Sequence, residues 1–151
     1  MSNTVITSVY RRFLNKISDY NFSLINNEKE VIEDNLLQLY MSATPKFPQC
    51  RKDLGTNYLD IGDVPSGEYI TIKSNLTSLE QEIISKLMLI EYLRPVIIKN
   101  EVIEQVLGDS DFNLYSQANH LNQLQSLYNT MKKEVNSDIS KYSFLRDGIY
   151  D

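Results

Sequence analysis

Apolar residues recur at three- and four-residue steps in several separate stretches of this chain, a spacing that predicts amphipathic helices. The first stretch carries Ile6, Val9, Tyr10, Phe13 and Ile17 as one stripe beside Arg11, Arg12 and Lys16, with Asn3 or Thr4 as its N-cap. Ser18 to Asn27 has the composition of a turn. A second stripe, Val31, Ile32, Leu36, Leu39, Tyr40 and Ala43, belongs to a helix starting near Asn26 or Asn27. Glu28 and Glu30 suit its positive end. Thr44-Pro45 ends it, because the residue before proline is pushed out of the helical region.

The period then changes. Pro45 to Asn57 reads as an irregular connection containing Pro45, Pro48 and Gly55. Tyr58-Leu59-Asp60-Ile61 and Glu68-Tyr69-Ile70-Thr71-Ile72 flank a Gly/Pro/Asp/Ser cluster from Gly62 to Gly67, which predicts a β-hairpin over 58–72 or, failing that, an extended arm. A lone hairpin is marginal in water unless it packs on something else. Tyr58, Ile61, Tyr69 and Ile70 are therefore candidate contact residues, expected to reach outside the helical core.

Thr77-Ser78-Leu79-Glu80 is a capping-box sequence that opens a third helix, whose large apolar residues, from Leu79 through Ile83, Ile84 and Leu87 to Leu93, cover most of its circumference. Such a helix is buried on several sides and forms the centre of the core. Pro95 is expected to break or bend it, leaving Val96 to Leu107 as a short helix or pair of turns ended by Gly108. The last helix spans about residues 112–142, with Leu121, Leu124, Tyr128, Met131, Val135 and Tyr142 forming a narrow seam interrupted at Asp138. That seam suits one neighbouring helix or a second copy. Leu124, Tyr128 and Met131 are expected to be packed and are candidate interface residues, as are Phe144 and Tyr150 in the tail, 143–151. The expected fold is mainly α: a helical bundle with a long C-terminal helix and a short β-hairpin or extended arm, in one domain over 1–142.

Composition narrows the function. A chain of 151 residues with 42% hydrophobic and 23% charged content is large enough for its own core. Its net charge of −5 argues against dedicated nucleic-acid binding, since phosphate contacts need an excess of Lys and Arg. The basic residues Arg11-Arg12, Arg51-Lys52 and Lys132-Lys133 are pairs rather than a run. Cys50 is the only cysteine, so no disulfide framework or thiolate metal cluster is expected, which suits a reducing cytosol. The N-terminus lacks the basic and apolar regions of a signal peptide, and no apolar run approaches the ~18 residues of a membrane span.

Candidate chemistry resolves into blander readings. Asp109-Ser110-Asp111-Phe112-Asn113 opens like a calcium loop, but Leu114 stands where Gly is needed and His120 where a bidentate Glu is required. It reads as a helix-capping turn. His120 is the sole histidine, and nothing around Cys50 resembles a nucleophile motif, so a structural His is favoured. Glu101 and Glu104 share a helix face but have no second carboxylate cluster for acid/base or metal work. The five glycines form no phosphate-cradling loop. No catalytic residue, cofactor or metal is expected, and the protein does not read as an enzyme. Ten tyrosines and no tryptophan leave room for interface enrichment, because tyrosine pairs an apolar body with a polar tip.

Three segments carry a family resemblance: Leu76-Thr77 through Glu80-Gln81-Glu82-Ile83, Leu87-Met88 through Tyr92-Leu93-Arg94-Pro95, and Asp111-Phe112 through Tyr115-Ser116-Gln117-Ala118-Asn119-His120-Leu121. Weaker agreement extends through Phe47 and Cys50-Arg51-Lys52-Asp53-Leu54 upstream and Tyr142-Ser143 downstream. This pattern resembles the neck proteins of tailed bacteriophages, the head–tail connector or head-completion proteins. Departures exist: the helix after the capping box is more hydrophobic, and Asn122-Gln123 replaces charged residues. The resemblance implies a structural virion subunit, assembled in the host cytoplasm, forming a ring of about twelve copies between the portal protein and other neck or tail proteins. DNA would pass through the ring without specific binding, and no membrane is involved. The competing reading is a cytosolic helical adaptor or regulator that dimerises through the C-terminal helix.

Overall fold

A computed structural model describes residues 3–19, 29–58, 70–106 and 111–145. In chain order the elements are β1 (Thr4–Val5), α1 (Ile6–Asp19), α2 (Lys29–Ala43), a 3-10 turn (Thr44–Lys46), β2 (Thr56–Tyr58), β3 (Ile70–Ile72), α3 (Ser78–Val106) and α4 (Asp111–Phe144). The fold is mainly α, with a small antiparallel sheet and a long C-terminal helix.

α3 is the axis. It packs against α1, α2 and α4. Ile83, Ile84, Met88, Leu89 and Leu93 are all within 1% of complete burial, as a helix apolar around its circumference requires. α1 brings Ile6, Val9, Phe13 and Ile17 to this core, and α2 brings Leu36, Tyr40 and Ala43. α4 contributes Leu121, Leu124, Met131, Val135 and Tyr142, the seam expected from their spacing. The capping box is present at the start of α3. The Glu80 amide donates to Thr77 Oγ1 at 3.2 Å, and the Thr77 amide donates to the Glu80 carboxylate at 2.8 Å.

Pro95 does not break the helix. α3 runs through it as one element. The ring removes one backbone donor and crowds the preceding turn, at a cost of about 3 kcal/mol in an isolated helix. Here Pro95 faces solvent, while Leu93 and Ile97 on either side are buried. Apolar packing on both sides of the proline offsets the local penalty, which sequence spacing alone cannot weigh.

The strands bring a second correction. Thr4 is a strand residue, not the N-cap of α1. Its amide donates to the Ser74 carbonyl at 3.1 Å, and its side-chain oxygen accepts from the Leu76 amide at 2.8 Å. The sheet order is β1-β3-β2, with Thr4 opposite Ile72 on one side and Thr56 opposite Ile72 on the other. Tyr58 pairs with Ile70, as an antiparallel hairpin over this region requires. The strand begins at Thr56, two residues earlier than its sequence pattern indicates, and 59–69 lies outside the described residues. Ile70 and Ile72 turn inward on alternate positions of β3 and join the helical core. The sheet is thus integrated with the bundle through a third strand too short to announce itself.

Candidate functional site

Three distant pieces of chain converge on the Glu80 carboxylate, which is 0% exposed. One oxygen accepts from the Thr77 amide and from Lys52 Nζ at 2.7 Å. The other accepts a 2.8 Å hydrogen bond from the Tyr142 hydroxyl, with Cys50 Sγ at 3.7 Å. The Tyr142 hydroxyl in turn accepts from the Arg51 amide at 3.1 Å. Phe47 packs edge-on against the Tyr142 ring, with centroids 5.1 Å apart. The Arg51 guanidinium sits over the same ring at 4.9 Å and donates to the carbonyls of Tyr142, Ser143 and Leu145. A cation collecting the last carbonyls of a helix both satisfies them and complements the dipole.

The electrostatics follow from this packing. Burial pushes the Glu80 carboxyl upward, but Lys52, the Thr77 amide and Tyr142 more than offset it and hold the group below its ordinary value. Burial pushes the Tyr142 hydroxyl up, and the nearby Glu80 charge adds to that, so it stays protonated as a donor. Burial raises the Cys50 thiol, with Glu80 beside it acting in the same direction. A thiol held protonated is a poor nucleophile. The cluster joins the start of α3, the 47–55 connection and the end of α4; chemically it is a structural knot.

Further ion pairs tie the helices to α3. Lys86 reaches Asp138 at 2.6 Å and Glu134 at 3.6 Å. The polar interruption in the α4 seam is therefore answered by a cation on the facing helix. Burial disfavours the Lys86 charge, but Asp138 and Glu134 raise its pKa overall. Glu82 accepts from Lys16 and from Arg12, the latter at 3.0 Å, which fixes α1 against α3.

A surface cleft of about 350 Å³ lies between α3 and α4, with Arg94, Ile97, Ile98 and Glu101 on one wall and Gln125 and Tyr128 on the other. The Arg94 side chain hydrogen-bonds the Tyr128 hydroxyl, which lowers the tyrosine pKa and raises that of the arginine. Glu101 accepts from Gln125 at 2.9 Å and has no ion pair among the described residues.

The residues singled out from sequence divide into three groups. Leu124, Met131 and Ile70 are 1%, 3% and 8% exposed, so they are core positions of this chain and not free contact positions. The reason is that α3 covers the α4 seam and Ile70 of β3 turns into the helical core. Tyr128 is half-buried at the cleft, and Phe144 is 87% exposed. Tyr58 ends β2, but its side chain, like all of Ile61, Tyr69 and Tyr150, lies outside the described residues. So do residues 109 and 110 of the capping turn and the His120 side chain; Asp111 is the first residue of α4.

Sequence spacing missed the knot itself. Its one visible signal was the capping-box Glu80, followed by a helix apolar over most of its circumference. Among the described residues, no group of three or more His, Cys, Asp or Glu could hold a metal, and no helix is long and apolar enough to cross a membrane. No protein-family model, curated protein or solved structure matches the chain.

Proposed function

We infer that this protein is a structural subunit of a tailed-bacteriophage neck, forming a ring between the portal and the tail or stopper. The observation that carries the reading is the convergence at Glu80. The capping-box segment and, more weakly, the Cys50–Leu54 segment and Tyr142-Ser143 carry the resemblance to neck proteins, and they meet in one buried knot. Residues far apart in sequence but joined in space make a single unit of shape. A subunit that must be recognised by neighbours on both sides needs its helix ends fixed in this way. The acidic net charge suits a channel wall, because mild repulsion leaves a moving polyanion free to slide.

Co-expression with the portal protein of the same phage tests this reading. A neck subunit co-purifies with the portal ring; loss of all portal binding by a folded protein overturns it. The competing adaptor reading requires a dimer through α4. Since Leu124 and Met131 are spent on α3, such a dimer has to use the outer face of the helix. Light scattering that gives a stable dimer indifferent to portal would favour the adaptor.

A further inference from the structure

We propose that copies of this chain meet head to tail, with Phe144 of one copy seated in the α3/α4 cleft of the next. Both halves of the contact are present on one chain. Phe144 has the greatest exposure of the large apolar residues described, and Ile98, exposed to 54%, lies at the cleft. Isolated exposed apolar residues are ordinary on protein surfaces. Phe144 differs because the backbone presenting it is fixed: Arg51 holds the carbonyls of Tyr142, Ser143 and Leu145, and Tyr142 is anchored on Glu80. An aromatic side chain on a pre-ordered helix end loses little freedom on binding.

The occupant has to come from another molecule. Phe144 and Tyr128 lie on one continuous helix, roughly 24 Å apart at ~1.5 Å rise per residue, so Phe144 cannot fold back into its own cleft. Charge favours a second copy. Lys141 precedes Phe144 by three residues, on the same helix face, and is exposed without an ion pair among the described residues. Glu101, exposed at the cleft lip and bonded to Gln125 but without an ion pair among the described residues, is the anion that would meet it. The Phe144 ring and the Lys141 cation thus have Ile97, Ile98 and the Glu101 carboxylate as counterparts in a cleft that Arg94, Gln125 and Tyr128 also line. Two unlike patches separated along a rigid rod make a heterologous contact, which propagates from copy to copy and closes as a ring when the rotation permits. This contact deepens the neck reading and rests on its ring.

Disulfide trapping tests the contact even where it is transient. Phe144→Cys and Ile98→Cys chains are mixed at high concentration under mild oxidation. The mixture should give cross-linked dimer at least about tenfold faster than either variant alone, and faster than Phe144→Cys mixed with a Val5→Cys control at an exposed site remote from the cleft. The wild-type chain reports any background from Cys50. Adding Lys141→Glu to the Phe144→Cys chain should slow trapping about fivefold, and Glu101→Lys on the Ile98→Cys chain should restore it. Circular dichroism checks that each variant is folded. Trapping no faster than the Val5 control, or a charge reversal that rescues nothing, overturns the proposal. Portal binding without trapping would overturn this contact alone, whereas trapping without portal binding would count against the neck reading and leave the contact standing.

Discussion

The Tyr142 hydroxyl donates a 2.8 Å hydrogen bond to the Glu80 carboxylate, joining the last turn of α4 to the first turn of α3. The same hydroxyl accepts from the Arg51 amide, so one oxygen locks three segments. Tyr142→Phe keeps the ring and its packing on Phe47 while removing both bonds. It should destabilise the protein by about 1–3 kcal/mol, because a buried carboxylate and a backbone amide each lose a partner. Urea denaturation with an unchanged slope would measure that loss, and a midpoint equal to wild type would contradict the role assigned to the hydroxyl.

Acid should loosen the knot. The folded-state pKa of Glu80 is depressed below the ordinary 4.5, so its contribution to stability is present above that value and is lost as pH falls through the lower folded value. Glu82, also depressed, adds to the same slope. Thermal midpoints between neutral pH and pH 3 should therefore fall for the wild type, and fall less steeply for Glu80→Gln. Parallel curves for the two proteins would remove Glu80 as a source of the acid sensitivity.

Asp138 separates pattern from packing. Asp138→Leu completes the apolar repeat of α4, and spacing alone would rank it as stabilising. The structure predicts the reverse, a loss of about 2 kcal/mol, because Lys86 is left largely buried with its shortest ion pair gone and only the more distant Glu134 and Glu82 charges to answer it. Pairing it with Lys86→Met should recover most of the loss, since it removes the buried cation and the anion left behind, Glu134, is exposed to solvent. A double-mutant cycle on thermal or urea stability measures the coupling directly.

Cys50 should be a slow thiol. Burial and the Glu80 charge raise its pKa, which keeps the reactive thiolate scarce at neutral pH. Alkylation by iodoacetamide at pH 8 should run well below the rate of the same thiol in urea. Glu80→Gln should speed it, by removing the anion beside the sulfur. Equal rates in folded and unfolded protein would show that the sulfur is not enclosed by the knot.

Much of the architecture was legible because helical periodicity is a local property. The seam Leu121, Leu124, Met131 and Val135, the stop at Thr44-Pro45 and the reciprocal cap of Thr77 and Glu80 all follow from residues within a few positions of one another. Pro95 could break or bend the helix by the local rule, and the break is excluded because the opposing force is tertiary: Leu93 and Ile97 are held by the core on either side. Thr4 was misjudged for a similar reason. Its partners, Ser74 and Leu76, are about seventy positions away.

The candidate contact residues show the same divide. An apolar residue is equally suited to the chain's own core and to a neighbouring subunit, so the sequence could not separate Leu124 in the seam from Phe144 in the tail. Burial did: α3 takes the first and leaves the second in solvent. By itself the sequence determined where helices form, the Thr77–Glu80 cap and the apolar identity of the central helix, because these depend on short-range geometry and side-chain type. Only the tertiary structure decided that Glu80 is a junction, that Asp138 faces Lys86, and that Phe144 stands free. Each of those outcomes depends on which distant segments share a volume, a question settled by packing the whole chain at once.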